Sequence, residues 1–532
     1  FNTHPLFFTK PIKPLDYYFG RFTGAFIISI FIQAGFSLGM LFGFLMPYLD
    51  QDAIGPFSLY AYIHPFVVLI IPNIFMVGAL LFTLAILTRR MLPTYLASVV
   101  LLFGYLTSGN LTSDIETRWI ASLIDPFGIE AISNAVRYWT PVEQNSNFIP
   151  MTKWLLFNRL IWFGVGSLFM GIGLWKFDFK HTELGKSNKK KKEKSDVEEE
   201  PVLGGGFIHA TPVFSSATLW LQFKTQTYIE IKRAFRDPYF IAIAGTAAGF
   251  LLMNQQAIGK MMGVNTLPVT YQVLGVLSGS FALFMLILIT FYAGQIVWRE
   301  RELKADQIMD SLPIPNWIPM VSKLIALILI PGIMLAVLMV IGLGIQTGRG
   351  FYDFEIHLYL KQLFLLDWTD YALLCVLAFA IQTIVNHKYL GHFIMILYFL
   401  FGMFAGQFGL DHTLYHFGSG SGATYSDMNG FEPYVWRLSW YKLYWGACAV
   451  LLAFASNLFW NRGLTGDFKS RWMSAKSRFT SEMKKGIIIF GILFLSAGSF
   501  IFYNTNILNE YHRSDYNEKR SANYEMTFKK FK

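Results

Sequence analysis

The chain has 532 residues, of which 54% are hydrophobic and only 15% are charged. Soluble domains carry about 25% charged residues, so this composition excludes an ordinary soluble protein. The formal net charge of +10 does not indicate nucleic-acid binding, because the basic residues lie in segments between apolar runs. The two cysteines fall inside apolar runs and indicate neither a disulfide framework nor a metal cluster.

Apolar runs of about 20 residues recur along the chain, which is the length a helix needs to cross about 30 Å of hydrocarbon. A helix satisfies its own backbone hydrogen bonds, as any segment inside a bilayer must. The sequence therefore predicts an all-α, polytopic bundle of transmembrane helices. We expect about 11 spans, at 24–47, 65–87, 94–109, 155–175, 239–255, 273–297, 322–346, 369–386, 389–410, 442–460 and 486–505.

The lysine and arginine residues predict the orientation, since they favour cytoplasmic segments. With residues 1–23 in the cytoplasm, the six inner segments contain 29 lysines and arginines and the five outer segments contain seven. This asymmetry also places residues 176–238 in the cytoplasm and the C-terminal tail outside. The inner segments are 1–23, 88–93, 176–238, 298–323, 386–388 and 462–485.

One sequence pattern occurs near the N-terminus and again in the second half of the chain. Pro11 is followed by Arg21 and an apolar run, and Pro313 is followed by Lys323 and an apolar run. The offset is 302 in both cases (313 − 11 and 323 − 21). Such repetition indicates a duplicated module.

A second pattern repeats at an offset of 283, which is 442 − 159 and 445 − 162. Arg159 and Trp162 match Lys442 and Trp445. The two patterns together predict two pseudo-repeated modules whose last four spans superpose. The longer connection in the first module, 110–153, is expected to form short helices at the outer surface.

Two distinct cytoplasmic segments lie between the fourth and fifth predicted spans. The first, 186–206, contains six lysines between 186 and 194, then three consecutive glutamates (198–200) and three consecutive glycines (204–206), and is too polar to fold by itself. The second, Trp220 to Pro238, has apolar residues near helical spacing and predicts an amphipathic helix on the inner membrane surface. Its charged residues are Lys224, Lys232, Arg233, Arg236 and Asp237.

These residues resemble type-two ABC exporter permeases, in which a surface helix precedes six spans. The sequence Arg236-Asp237-Pro238 before a span is similar to the entrance of such a module. The resemblance implies that the loop between the second and third spans docks on a separate ATPase subunit. The residues that it assigns to docking are Glu300, Arg301, Glu302, Pro313 and Lys323, with Pro11 and Arg21 in the first module.

The resemblance implies a bacterial inner-membrane protein with the following organisation. A first permease module without its first two spans covers 1–185, a charged linker 186–206, and a second module with its surface helix 207–465. A basic loop and an extra transmembrane helix cover 466–510. The tail 511–532 resembles the approach to a periplasmic zinc aminopeptidase, the domain to which such permeases are fused in some bacterial proteins.

The sequence contains no H-E-x-x-H zinc motif and no G-x-x-x-x-G-K-[ST] phosphate loop. We therefore expect no catalytic residues and no cofactor in this chain, with ATP bound by a partner subunit and zinc only if a peptidase domain follows. His412 and His416 lack a third nearby ligand and favour a surface loop over a metal site. The expected partners are ABC ATPase subunits, the lipid bilayer and, if such a domain follows, a peptidase domain of the same polypeptide.

Three functions remain open at this point. The first is export by an ATPase-driven permease, and the second is anchoring of a fused zinc aminopeptidase. The third is ion-coupled secondary transport, which the sequence disfavours because the predicted span centres hold no carboxylate. Arg159 and Lys442 are expected to lie near the outer ends of equivalent spans.

Overall fold

The computed structural model describes residues 12–43, 57–88, 91–111, 117–177, 215–254, 260–261, 264–420, 422–463, 468–509, 511–512 and 514–528. Their regular structure is helical, apart from one antiparallel pair of two-residue strands, β1 (Lys260–Met261) and β2 (Val264–Asn265). The all-α prediction is therefore confirmed for these residues. The chain divides into two compact units, residues 1–209 and 210–532. Pro11 and the predicted linker 186–206 lie outside the described residues.

The described part of the first unit contains four long helices and three short ones. Helix α2 contacts α1, α3 and α7, and its N-terminal part includes a π-helical segment, Phe66–Ile70. The helices are α1 (Pro14–Gly43), α2 (Tyr60–Thr88), α3 (Met91–Leu111), α4 (Arg118–Ile124), α5 (Ile129–Val136), α6 (Pro141–Ser146) and α7 (Lys153–Trp175).

Aromatic side chains hold α1, α2 and α7 together. The buried core contains Tyr18, Phe22, Ala79 and Met170. Tyr18 is 1% exposed, and its hydroxyl donates to the Met170 carbonyl at 2.9 Å. A buried tyrosine needs such a partner for its hydroxyl. Gly173 permits this packing, because a Cβ there would collide with the Tyr18 hydroxyl.

Three short helices, α4 to α6, occupy the segment 110–153, as predicted for it. The first turn of α6 is fixed by a capping box, in which Thr140 Oγ1 accepts from the Glu143 backbone N–H at 3.3 Å. The Glu143 carboxylate accepts in return from the Thr140 backbone N–H at 2.7 Å. The position of these helices at the outer surface stays a prediction.

The second unit contains the remaining helices. They are α8 (Ser216–Phe235), α9 (Pro238–Asn254), α10 (Thr270–Glu302), α11 (Asp306–Ser311), α12 (Trp317–Gly348), α13 (Ile356–Val385), α14 (Lys388–Phe404), α15 (Glu432–Phe459), α16 (Phe468–Ser477), α17 (Ser481–Leu508) and α18 (Ser514–Phe528). The N-terminal part of α13 includes a π-helical segment, Leu360–Asp367.

Helix α12 is central to the second unit and contacts α8, α9, α10, α13 and α15. It is apolar on all sides, which is typical of a buried helix. Two glycines allow close neighbours: Gly332 lies against Trp368, and Gly342 lies against Leu277 and Tyr359. Any side chain at either glycine would displace these groups.

Helix α17, the predicted extra span, packs on α15. The rings of Tyr444 and Phe494 stack at 4.5 Å between centres, and those of Trp440 and Phe500 lie 4.2 Å apart. Gly498 leaves the space that Tyr444 fills. The extra helix is thus an integral part of the second unit.

Among the described residues, eight helices are long and apolar enough to cross a membrane, namely α1, α2, α7, α10, α12, α13, α15 and α17. The chain is therefore a multi-pass membrane protein. Each of the other three predicted spans also falls on a helix: α3 has 21 residues, and α9 and α14 have 17 each. The total of 11 spans stays a prediction, because these three helices are not among the eight.

Candidate functional site

A buried ion pair joins α10 to α12 at the end of the second unit that carries the predicted docking loop. Lys323 is 1% exposed, and its ammonium donates to Glu300 Oε2 at 2.8 Å. The Lys323 ammonium also lies 5.4 Å from the ring centre of Trp460, which follows α15. A buried ammonium is destabilising by several kcal/mol unless it is paired. The pair therefore fixes the end of α10 against the start of α12.

A second carboxylate near this pair comes from α8. Glu230 is 5% exposed, and Arg233 Nη1 donates to its Oε1 at 3.3 Å. Loss of hydration raises the pKa of Glu230, and the positive charges of Lys323 and Arg233 oppose that rise. The sequence analysis missed Glu230, because it reads as one more polar residue of an amphipathic helix. The available signal was that Glu230 is the only acidic residue between Ser216 and Phe235.

The predicted amphipathic helix is confirmed as a helix, Ser216–Phe235. The helix packs against α12, and its polar residues Gln222 and Gln226 are half-buried. Its exposed side chains include both apolar residues, Leu221 and Tyr228, and charged ones. This distribution suits a helix in a membrane interface, and its location there stays a prediction.

The predicted charged residues of α8 have different roles. Lys232 lies over the Tyr228 ring, with its ammonium 5.6 Å from the ring centre. Asp237 follows the helix, and its Oδ1 accepts from the Tyr239 backbone N–H at 3.1 Å at the start of α9. The residues whose side chains are exposed are Lys224, Lys232, Arg233 and Arg236.

Arg301 connects α10 to the ends of α13 and α15. Its Nη1 donates to Asn386 Oδ1 at 2.9 Å, and its Nη2 donates to the Asn461 carbonyl at 3.2 Å. The guanidinium also lies 4.9 Å from the centre of the Trp298 ring. Asn386 has a φ of 54°, a left-handed conformation that ends α13. Arg301 thus contacts groups of the protein itself.

Glu302 is the most exposed of the three predicted docking residues at the end of α10, which are Glu300, Arg301 and Glu302. Its Oε1 accepts from the Lys388 ammonium at 2.6 Å, and its side chain is 46% exposed. Glu300 and Arg301 are occupied by internal contacts, so only Glu302 of this group faces outward. The docking role of all three residues stays a prediction.

Arg462, which the sequence analysis did not single out, holds the loop between α10 and α12. Its guanidinium donates to the carbonyls of Ile314 at 2.6 Å, Leu312 at 2.7 Å and Asp310 at 2.9 Å. The next residue, Gly463, donates its backbone N–H to Asp310 Oδ2 at 2.7 Å. The available signal was its position as the first basic residue after the α15 span, where we counted it only toward orientation.

The 303–316 loop, which joins α10 to α12, therefore has one attached side and one free side. Its short helix Asp306–Ser311 exposes Ile308 to 71%, and Leu303 is 69% exposed. Leu312 and Pro313 are also exposed. Exposed apolar residues on a short, firmly held loop are typical of a protein contact.

Two further arginines, Arg471 and Arg478, donate hydrogen bonds to carbonyls at the C-terminal ends of α13 and α15. Arg471 is 8% exposed and donates to the carbonyls of Thr383 at 2.7 Å, Ile384 at 3.0 Å and Phe459 at 3.3 Å. Arg478 donates to the last carbonyls of α15. Cations satisfy the unpaired carbonyls and the negative dipole at a helix C-terminus. Burial lowers the pKa of both arginines.

The first unit has a different environment at the position that matches Lys323. Arg21 is exposed and lies over the Tyr17 ring at 5.1 Å. Within the described part of the first unit, Arg21 forms no ion pair. Pro11 lies outside the described residues, so docking by the first module remains a prediction.

Arg159 was expected near the outer end of its span, and it is buried. It is 8% exposed, and its Nη1 donates to Asn73 Oδ1 of α2 at 2.7 Å. Its Nε donates to Asn158 Oδ1 at 3.0 Å, and Asn158 in turn donates to the carbonyls of Ser122 and Asp125. Burial is possible because each polar atom has a partner.

Lys442 likewise pairs with a residue of the neighbouring helix, Asp370 of α13. Asp370 has 14 helical residues before it (356–369) and 15 after it (371–385) in the 30-residue helix Ile356–Val385. Asp370 therefore lies near the middle of this long helix, and the expectation that no carboxylate lies at a span centre stays a prediction. The predicted span 369–386 omits the first 13 residues of the helix (356–368).

The two repeated tryptophans make matching hydrogen bonds in their own units. Trp162 Nε1 donates to the Leu123 carbonyl at 3.1 Å. Trp445 Nε1 donates to the Ser419 carbonyl at 2.9 Å. In each unit the indole anchors a long helix to the connection that precedes it.

A cavity of about 710 Å³ opens between the N-terminal parts of α13 and α15. Its walls are mainly apolar, and Lys442 forms part of them. The lining residues are Lys361, Leu365, Leu366, Thr369, Met428, Asn429, Gly430, Phe431, Glu432, Val435, Leu438, Ser439 and Lys442. Its volume lies within the range of about 300–1,000 Å³ that is usual for small-molecule sites.

No group of three or more potential metal ligands occurs among the residues that the structure describes. His412 is 8% exposed, and its Nδ1 accepts from the Leu414 backbone N–H at 3.1 Å. Its Nε2 lies 3.1 Å from Thr505 Oγ1 of α17. His412 therefore joins its loop to α17.

In comparisons with known proteins, no family model, no curated protein and no solved structure matches the chain.

Proposed function

We propose that this chain is the permease part of an ATP-driven exporter in which the 303–316 loop docks on a separate ATPase subunit. The observation that carries the proposal is the attachment of this loop. The helices on either side of the loop are joined by Lys323 and Glu300, and the end of α10 is tied to Asn386 of α13 by Arg301. The loop itself is bonded to Arg462, which follows α15.

A loop attached in this way transmits force. A movement of the loop should act on several long helices at once, because charged hydrogen bonds hold their partners at defined distances and angles. The exposed residues Leu303, Ile308 and Leu312 supply a surface that a partner could move. Two pseudo-repeated modules would then form the translocation path, for which the matched contacts of Trp162 and Trp445 give support.

Affinity purification of the intact protein tests the proposal. We expect an ATPase to co-purify with the wild type, and Ile308→Asp to reduce the recovered ATPase at least about tenfold. Met428→Asp is the matched control, because Met428 is 92% exposed at the opposite end of the helices. The proposal fails if no ATPase binds the wild type, or if both variants recover it equally.

Ion-coupled transport is the second candidate, and the pair of Lys442 with Asp370 favours it. Charged residues within a span commonly mark ion or proton pathways. In reconstituted vesicles, Asp370→Asn should abolish ion-driven uptake if this function is correct. Asp427→Asn, in an exposed loop, is the control. Transport that needs ATP and an added ATPase, and that survives Asp370→Asn, would exclude this candidate.

A further inference from the structure

A second cavity lies in the first unit, between α4, α5 and the start of α7. Its volume is about 290 Å³, near the lower end of the usual range for small-molecule sites. Arg118, Trp119, Arg137, Tyr138 and Trp154 are among its lining residues. Neither export nor the 303–316 loop accounts for it.

The charge of this cavity is one-sided. Arg118 and Arg137 line it, and no aspartate or glutamate is among the lining residues in the part of the chain that the structure describes. The nearby carboxylate of Asp125 accepts from the backbone N–H groups of Phe127 and Glu130, both at 2.8 Å, and so serves the turn before α5. The guanidinium groups therefore favour an anion, and a carboxylate matches their planar geometry.

The walls of the cavity favour a flat ring. Trp119 and Trp154 lie 6.0 Å apart between ring centres, with 34° between their planes. Tyr138 is 81% exposed, and its hydroxyl accepts from Arg118 Nη1 at 3.3 Å. Tryptophan and tyrosine bind the flat faces of sugars and aromatic rings, and they are rigid enough to do so with little loss of entropy.

We infer that this cavity binds a small molecule that carries a carboxylate on a six-membered ring. Two sources share that chemistry, a uronic acid and an aromatic acid. The carboxylate would contact Arg118 and Arg137, and the ring would lie against Trp119 or Trp154. The charge asymmetry predicts that the segment 110–153 lies outside, so such a ligand would arrive from that side.

Calorimetric titration of the purified intact protein tests this inference with four probes. We expect glucuronate, 4-hydroxybenzoate or both to bind, and glucose and acetate to bind at least about tenfold more weakly. If just one of the two acids binds, that acid shows which source the ligand comes from. The inference is wrong if neither acid binds, or if acetate binds as well as the ring acids.

Two variants assign the binding to this cavity. Arg137→Gln should weaken binding of the ring acid at least about tenfold, because it removes one of the two guanidinium groups that line the cavity. Arg137 is exposed, so the change should leave the helices intact. Arg236→Gln, at an exposed arginine of α8, should leave it unchanged. Trp154→Phe keeps an aromatic wall and should retain binding, whereas Trp154→Ala should lose it. Binding that survives both Arg137→Gln and Trp154→Ala would contradict the assignment.

Discussion

The Lys323 ammonium and the Glu300 carboxylate lie 2.8 Å apart, although their positions in the chain differ by 23 (323 − 300). The lysine side chain is 1% exposed and the glutamate side chain 19% exposed. The whole 303–316 loop lies between these two residues. Their contact therefore closes the loop at its base, and the loop moves only if α10 or α12 moves or if the pair breaks.

The first prediction concerns the stability of this base. Glu300→Ala should lower the free energy of unfolding by about 3–5 kcal/mol, because it leaves the buried ammonium without its main partner. Glu482→Ala is the matched control, since its pair with Lys485 is exposed and contributes about 0–1 kcal/mol. Unfolding of the detergent-solubilised protein measures both. Equal effects of the two variants would show that the Lys323 pair is not buried.

The second prediction concerns Arg462. Arg462→Lys should increase amide hydrogen exchange across residues 306–314, because an ammonium donates from a single nitrogen and cannot span the three carbonyls that the two guanidinium nitrogens reach. Arg236→Lys should leave that exchange unchanged. Protection that persists in Arg462→Lys would mean that Asp310 and its bond to Gly463 hold the loop without the guanidinium.

The sequence predicted helices more reliably than partners. Hydropathy placed all 11 spans on helices, because apolar length is a local property. It placed the start of α13 too late, since Lys361 and Asp367 interrupt the apolar run while the helix continues. The partners of Glu300 and Lys323 were not predictable, because long-range contacts decide them. Arg462 was counted only toward orientation for the same reason.

The third prediction concerns pH and Glu230. Burial raises the pKa of Glu230 above its usual value of 4.5, so the folded state binds this proton more tightly than the unfolded state. The contribution of Glu230 to stability is then greatest below about pH 4.5 and declines as the pH rises through the raised pKa. Glu230→Gln should therefore raise the melting temperature at pH 7.5.

The difference between Glu230→Gln and wild type should shrink as the pH falls toward 4.5. Glu482→Gln serves as the control, because Glu482 is 84% exposed and its change should alter the melting temperature little at any pH. A lower melting temperature for Glu230→Gln at pH 7.5 would mean that attraction to Lys323 and Arg233 outweighs the cost of burial.

The fourth prediction concerns orientation, and it depends on the 29-to-seven distribution of lysine and arginine. In a variant without native cysteines, Met428→Cys should react with an impermeant thiol reagent in intact cells. Ser474→Cys should react only after lysis, although both positions are exposed. Labelling of position 474 in intact cells would reverse the orientation.

The last prediction concerns the proposed repeat. Arg159 of α7 donates to Asn73 of α2 in the first unit, and Lys442 of α15 pairs with Asp370 of α13 in the second. If α2 and α7 correspond to α13 and α15, a lysine–aspartate pair like that of the second unit should be able to replace the arginine–asparagine pair of the first. Arg159→Lys alone should destabilise the protein by about 1–3 kcal/mol, since a single ammonium nitrogen cannot take the places of the guanidinium Nε and Nη1 that bond the two amides. Adding Asn73→Asp supplies a carboxylate for the new lysine, as Asp370 does for Lys442. The double variant should regain at least half of the lost stability, measured by thermal unfolding. Asn134→Asp serves as the control second change, because Asn134 bonds Ser122 instead of Arg159. Equal stability of the two double variants would show that these two contacts are not equivalent and would remove this support for a duplicated module.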